Sequence, residues 1–254
     1  MSDPTSSTTT APAAPAARKA FIPLECNPEL MTNLVHKLGL SPSLQFVDVY
    51  SLTDPDLLAF VPRPAHALLL VFPVSPSYEE HRKLEDAARE EHDKSGALED
   101  PVWFKQTIRN ACGMIGILHA VSNGEARAQI QPDTPLSRLL AKAIPAAPLD
   151  RARVLENSAE LESMHKEAAS QGDTPAPDAE DDVELHYVCF IKSKKDNHLY
   201  ELDGGRKGPL DRGHIEDDDV LGEKAREVVQ GFIEREKESG RVDFSLVALV
   251  PGFD

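Results

Sequence analysis

Cys112 is the residue of this chain with the most chemistry in its surroundings. It follows Asn110-Ala111 near the start of an apolar run, Ala111–Val121 (ACGMIGILHAV), which reads as a buried central helix. Gly113 and Gly116 weaken that helix intrinsically, so burial must stabilise it. A thiol at a helix N-terminus meets free N–H groups and a partial positive charge. Both favour the thiolate, the nucleophilic form. The other two cysteines have plainer settings. Cys26 lies beside a helix cap and Cys189 lies inside an apolar strand pattern, so both read as small hydrophobes. Three cysteines imply no disulfide framework and fit a reducing setting, cytoplasmic or nuclear.

A cysteine nucleophile needs a base, and the base needs an orienting acceptor. Among nine histidines, His186 opens the strand-like run His186–Ile191, and Asp203 follows the run His198–Leu202. If the two runs pair through the charged loop Lys192–Asn197, the start of one lies beside the end of the other. A carboxylate there would accept from one imidazole nitrogen and fix the tautomer. Taken alone, His186 reads equally as a surface histidine, and Asp203 as a turn residue before Gly204-Gly205. Acyl transfer also needs donors for an oxyanion. Gln106 stands six residues before Cys112, where its amide could converge with the Cys112 N–H; the plainer reading is a solvated glutamine.

The elements that must position these groups follow from spacing. Asn27-Pro28 starts and Gly39 stops a helix with apolar Leu30, Met31, Leu34, Val35 and Leu38. Gln45–Leu52 alternates as a strand, Asp54–Phe60 allows a short helix, and Ala67–Val74 is apolar enough for a strand buried on both faces. Tyr78–Lys94 reads as a charged, solvated helix broken by 96–101. Leu136–Ala143, Ala152–Ala169 and Leu221–Glu236 read as helices, Gly204–Pro209 as a turn, and Phe244–Val250 as a last strand. Ser170–Glu184 holds six acids, two prolines and no base, which is loop composition.

Composition narrows the partners. The chain has 254 residues and a net charge of −16. The first twenty, rich in Ser, Thr, Pro and Ala, read as a disordered tail, and 21–254 as a single domain. The acidic surface repels nucleic acid and anionic membranes and attracts basic partners; its plainer use is solubility. No apolar stretch is long enough to span a membrane, and no secretory signal is visible. No metal-ligand spacing appears, so neither a metal nor another cofactor is expected.

The segments around these residues resemble a known family. Gln106-Thr-Ile-Arg-Asn-Ala-Cys112-Gly-Met-Ile-Gly looks like the active-site segment of the ubiquitin carboxyl-terminal hydrolases. Leu185-His186-Tyr187 and His198-Leu-Tyr-Glu-Leu-Asp203-Gly look like their histidine and acidic segments. Leu24-Glu-Cys-Asn-Pro-Glu29, Gln45-Phe-Val-Asp-Val-Tyr50 and Val61-Pro-Arg-Pro64 match their N-terminal signatures. The resemblance runs from about Phe21 to the C-terminus, as in the short members.

It implies an α+β fold: a papain-like cysteine hydrolase core, an antiparallel sheet with helices on both sides, and a knotted backbone. It implies Cys112 as nucleophile, His186 as base and then acid, Asp203 as orienter and Gln106 as oxyanion donor. The implied substrate is ubiquitin, or a ubiquitin-like modifier, carrying a small adduct on its terminal glycine, and the enzyme would be a monomer. Residues 157–184 would form a loop crossing the active site and limiting the leaving group. Glu25, Glu29 and Asp48 match acidic positions near the arginines of the ubiquitin tail. Two rivals are a non-catalytic ubiquitin-binding module on the same fold and a peptidase acting on ordinary peptides. The family's usual N-terminal tryptophan is missing, with Phe21 and Ile22 nearby. The loop 192–197 is about two residues longer than in close relatives, and Glu216–Asp219 reads as solvated loop.

Overall fold

Asn27 and Gly39 bracket the first helix, α1 (Pro28–Leu38). The Asn27 side chain accepts from the Leu30 N–H, and Gly39 leaves the helix at φ 112°, a conformation that favours glycine. The computed structural model describes residues 18–252 except 97, 98, 176, 182, 238, 239, 241 and 242. Most of the expected tail, 1–17, lies outside the described residues. Lys19 and Ala20, which the tail reading included, are ordered: Lys19 and Phe21 exchange backbone hydrogen bonds with Arg109, and the Lys19 ammonium reaches Glu156 O and Glu162.

Six strands form one sheet: β1 (Leu44–Asp48), β2 (Ala67–Pro73), β3 (Leu185–Lys192), β4 (His198–Leu202), β5 (Leu210–His214) and β6 (Ser245–Pro251). The order is β1-β6-β2-β3-β4-β5, and every pair is antiparallel. β2 is buried along its whole length, because helices cover both faces. Leu69 and Val71 enter one core, with α1 and α4 (Cys112–Val121). Leu68, Leu70 and Phe72 enter the other, with Tyr78 of α3 (Pro76–Ala87) and Val229 and Phe232 of α8 (Glu223–Lys237). The α+β, antiparallel expectation is met. A short helix, α2 (Pro55–Leu58), follows β1, and no described helix is long and apolar enough to cross a membrane.

The two glycines that weaken α4 are what let it approach the sheet. A Cβ at Gly113 would stand 2.9 Å from Leu24 Cβ, and one at Gly116 3.2 Å from a Leu69 methyl. Close approach outweighs helix propensity here.

Several expectations need correcting. Ala152–Ala169 is two helices, α6 (Pro148–Glu156) and α7 (Ala159–Ala169), after α5 (Pro135–Ala143); Ser158 starts α7 by accepting from the Leu161 N–H. The helix expected to reach Lys94 ends at Ala87. The following chain is tied to the turn after β4, where the His92 N–H bonds Lys207 O and the Lys207 ammonium bonds Arg89 O. β5 was not expected, since its polar sequence lacks a strand pattern. It is an edge strand whose Arg212 pairs with Glu201 and Glu85. The acidic run 216–219 is not simply solvated. Asp219 accepts from the Ala65 and Leu221 N–H groups and pairs with Arg63, while Asp218 pairs with Lys192.

Candidate active site

Cys112 begins α4, and the residue before it, Ala111, has no side-chain acceptor. Helices α1, α2, α3, α5 and α7 each start with a side-chain cap; α4 does not. Its first N–H groups therefore remain available beside the thiol. Asn110 takes φ 57°, a left-handed conformation that asparagine tolerates better than most residues. This turns the chain sharply into the helix and frees the Asn110 amide to donate to Ala179 O and Asp181 O.

His186 and Asp203 meet as the hairpin argument requires. β3 and β4 pair with Cys189 opposite Leu202, which brings the head of β3 to the tail of β4. His186 Nε2 lies 2.9 Å from Asp203 Oδ1. The Cys112 thiol stands close enough to act on the imidazole, and it donates to Leu185 O at 4.0 Å. Burial by itself would push the His186 pKa down. The Asp203 carboxylate and the neighbouring thiol outweigh it and hold the imidazolium well above the ordinary histidine range. Burial would likewise raise the Asp203 pKa, yet His186, the Gly205 N–H and the Tyr78 hydroxyl hold it below the usual carboxylate range.

Two residues that sequence reasoning passed over hold Asp203, and two more, His119 and Asn123, hold the segment beside it. Tyr78 donates to Asp203 Oδ2 at 2.8 Å, and the Trp103 indole N–H donates to the Asp203 carbonyl at 3.0 Å. Fully buried His119 accepts the Phe104 N–H at 2.9 Å. Burial pushes its pKa down to about 3, so it stays neutral and can accept. Asn123 completes the clamp by exchanging hydrogen bonds with the backbone of Val102. Helix α4 thus fixes the extended segment 102–106 as well as Cys112. A lone aromatic in a charged helix (Tyr78) and a sole tryptophan were the available signals.

Gln106 ends that segment. Its N–H donates to Gly204 O, and a Cβ at Gly204 would meet Gln106 Cβ at 2.9 Å, so Gln106 sits against the strand end bearing Asp203. Its amide donates to Ile108 O at 3.2 Å, and its buried Oε1 has no hydrogen-bond partner.

The described residues of the acidic segment 170–184 strap across this corner. Thr174 donates to Glu25 through its N–H (3.2 Å) and hydroxyl (2.9 Å), and Asn27 donates to Asp173 at 3.0 Å. Beneath lies an apolar cavity of about 210 Å³ whose lining includes Leu24, Cys26, Val71, Cys112, Leu185 and Tyr187. Cys26 there is no second nucleophile, because burial and the Asp48 charge push its thiol up to about 12. The three expected acidic contacts are differently placed: Glu25 bonds the strap, Glu29 is exposed on the first turn of α1, and half-buried Asp48 accepts from the Tyr50 hydroxyl at 3.3 Å.

A thiol at the head of a buried helix, next to an imidazole–carboxylate pair on adjoining strands, is the constellation of a cysteine hydrolase. The model of the family described as "Ubiquitin carboxyl-terminal hydrolase, family 1" matches residues 21–234. Ubiquitin carboxyl-terminal hydrolase 3 of Arabidopsis thaliana is 36% identical over 236 residues, covering 92% of this chain and 95% of that protein. Ubiquitin carboxyl-terminal hydrolase isozyme L1 of Monodelphis domestica is 36% identical over 228 residues, covering 89% and 96%. The crystal structure of the Trichinella spiralis UCH37 catalytic domain, bound to ubiquitin vinyl methyl ester, has the same fold. Its TM-score is 0.69 at 21% identity, over 92% of this chain and 96% of that one. The chain belongs to ubiquitin carboxyl-terminal hydrolase family 1, the cysteine-type deubiquitinating hydrolases.

Proposed function

We propose that this chain releases ubiquitin from small adducts or short peptides on its C-terminal glycine, with Cys112, His186, Asp203 and Gln106 as its catalytic residues. Cys112 Sγ attacks the glycine carbonyl. The oxyanion is held by the Cys112 N–H and an amide hydrogen of Gln106. The C–N or C–O bond breaks, and the leaving group takes the proton that His186 carries. Water, deprotonated by His186, then attacks the thioester and frees ubiquitin and the thiol. Asp203 keeps the imidazole in one tautomer and stabilises its charge.

The observation that carries this reading is the His186–Asp203 pair beside the Cys112 thiol at the uncapped start of α4. The relatives' names and the solved ubiquitin complex supply the substrate class. The strap above the cavity is suited to limiting the size of the leaving group. Glu25, Glu29 and Asp48 would meet the arginines of the ubiquitin tail; Glu29 is exposed, and Glu25 is bonded to Thr174 of the strap. The test is reaction with ubiquitin bearing a C-terminal electrophile, followed by peptide mapping. Stoichiometric modification at Cys112 is expected. Modification elsewhere, or turnover that survives Cys112→Ala, overturns the assignment.

A further inference from the structure

Tyr78 is the buried residue of α3, a helix that otherwise shows mostly charged side chains to solvent. What the helix carries inward is a phenol. Its hydroxyl donates to Asp203 Oδ2 at 2.8 Å, while Oδ1 takes His186 Nε2 at 2.9 Å and the Gly205 N–H at 2.7 Å. Tyr78 therefore holds the carboxylate oxygen that His186 does not touch. The ring is fixed in turn, with its centroid 4.8 Å from that of Phe72 and 6.0 Å from that of Phe232. Its backbone is fixed too. The Tyr78 N–H donates to Ser75 Oγ at 2.9 Å, and Ser75 Oγ donates to buried Glu236 of α8 at 2.8 Å.

We propose that Tyr78 is a positioning residue for the hydrolase: its hydroxyl fixes the rotation of the Asp203 carboxylate and, through it, the tautomer and plane of the His186 ring. This rests on the reading of Asp203 as the group that orients His186. The two bonds to Oδ1 restrain the carboxylate from one edge. The bond to Oδ2 adds an independent restraint on its rotation from the other edge. A phenol suits the task better than a cation, because it adds a donor without cancelling the charge that His186 needs. It also remains a donor, since burial and the Asp203 and Glu201 carboxylates push its pKa far above the ordinary tyrosine value. The other ionisable groups facing this cluster are Cys112 and His119 on α4, Glu201 on β4, Arg206 after β4 and Arg82 on α3. All of them are retained in Tyr78→Phe.

The experiment is Tyr78→Phe, which keeps the ring and its packing. Two measurements are made: kcat and KM on a fluorogenic amide of the ubiquitin C-terminus, and the pH dependence of Cys112 alkylation by iodoacetamide, mapped by mass spectrometry. We expect kcat to fall about tenfold with KM unchanged. The limb of the alkylation profile set by the His186 proton should rise by about one pH unit, because Asp203 no longer shares its charge with a second donor. A thermal midpoint that shifts while kcat and the alkylation profile stay in place means a packing role only and overturns the proposal. A shifted alkylation profile without turnover of ubiquitin substrates by either protein would support Tyr78 and defeat the ubiquitin reading.

Discussion

Asp203→Asn separates charge from geometry at this site. The asparagine Oδ1 can accept from His186 and the Gly205 N–H as the carboxylate does, and its amide can face the Tyr78 oxygen. The hydrogen-bond frame survives; the negative charge does not. With charge centres about 4 Å apart and an effective dielectric of about 20, the lost attraction to an imidazolium is about 4 kcal/mol. The Asp203 and His186 side chains are 0% and 15% exposed, so solvent screens little of it. At about 1.4 kcal/mol per tenfold, kcat should fall by about 10²–10³ with KM within about twofold. The stability difference should depend on pH in a defined way. Asp203, held below its ordinary range, stabilises the fold above about pH 4, and this is lost on acidification. His186, held above its ordinary range, stabilises below about pH 6.5, and this is lost as the pH rises through its folded value. The gap between the parent protein and the variant should therefore be widest between about pH 4 and 6.5. Steady-state kinetics on a ubiquitin C-terminal amide and thermal unfolding across pH check both statements. A variant with kcat within threefold of the parent, or a stability gap flat across pH, refutes the charge argument.

Gln106→Ala should lower kcat by about 10²–10³ and leave KM nearly unchanged; an effect confined to KM would place Gln106 in substrate binding. Gly113→Ala improves helix propensity but sets a Cβ against Leu24 Cβ, so it should destabilise by about 1–3 kcal/mol in urea unfolding. A stabilised variant would show that α4 has room to move. Thr174→Val removes the hydroxyl bond to Glu25 and should raise kcat/KM for bulky adducts relative to small ones, read by parallel assays of both. An unchanged ratio would show that this bond does not hold the strap.

Local signals made much of the frame legible. Asn27, Pro28 and Gly39 bound α1 because capping and left-handed termination are properties of single residues. The unbroken apolar run of β2 announced a strand covered on both faces. Polar edge strand β5 left no periodic trace, and the end of α3 depends on contacts between residues 89–92 and 207–209 that no local pattern encodes.

The same division runs through the candidate site. Residue types and segment order placed Cys112 at the head of a helix and put His186 and Asp203 on one hairpin, because a two-strand pairing and a helix start are short-range matters. What surrounds them was settled only by tertiary packing. Tyr78 comes from a helix 125 residues before Asp203, and Trp103 from a segment 100 residues before it. Glu25, expected among the ubiquitin contacts, is bonded to a threonine 149 residues away. Hydrogen bonds of that range depend on how two cores pack against opposite faces of one sheet, a quantity summed over many side chains that no single stretch of sequence carries.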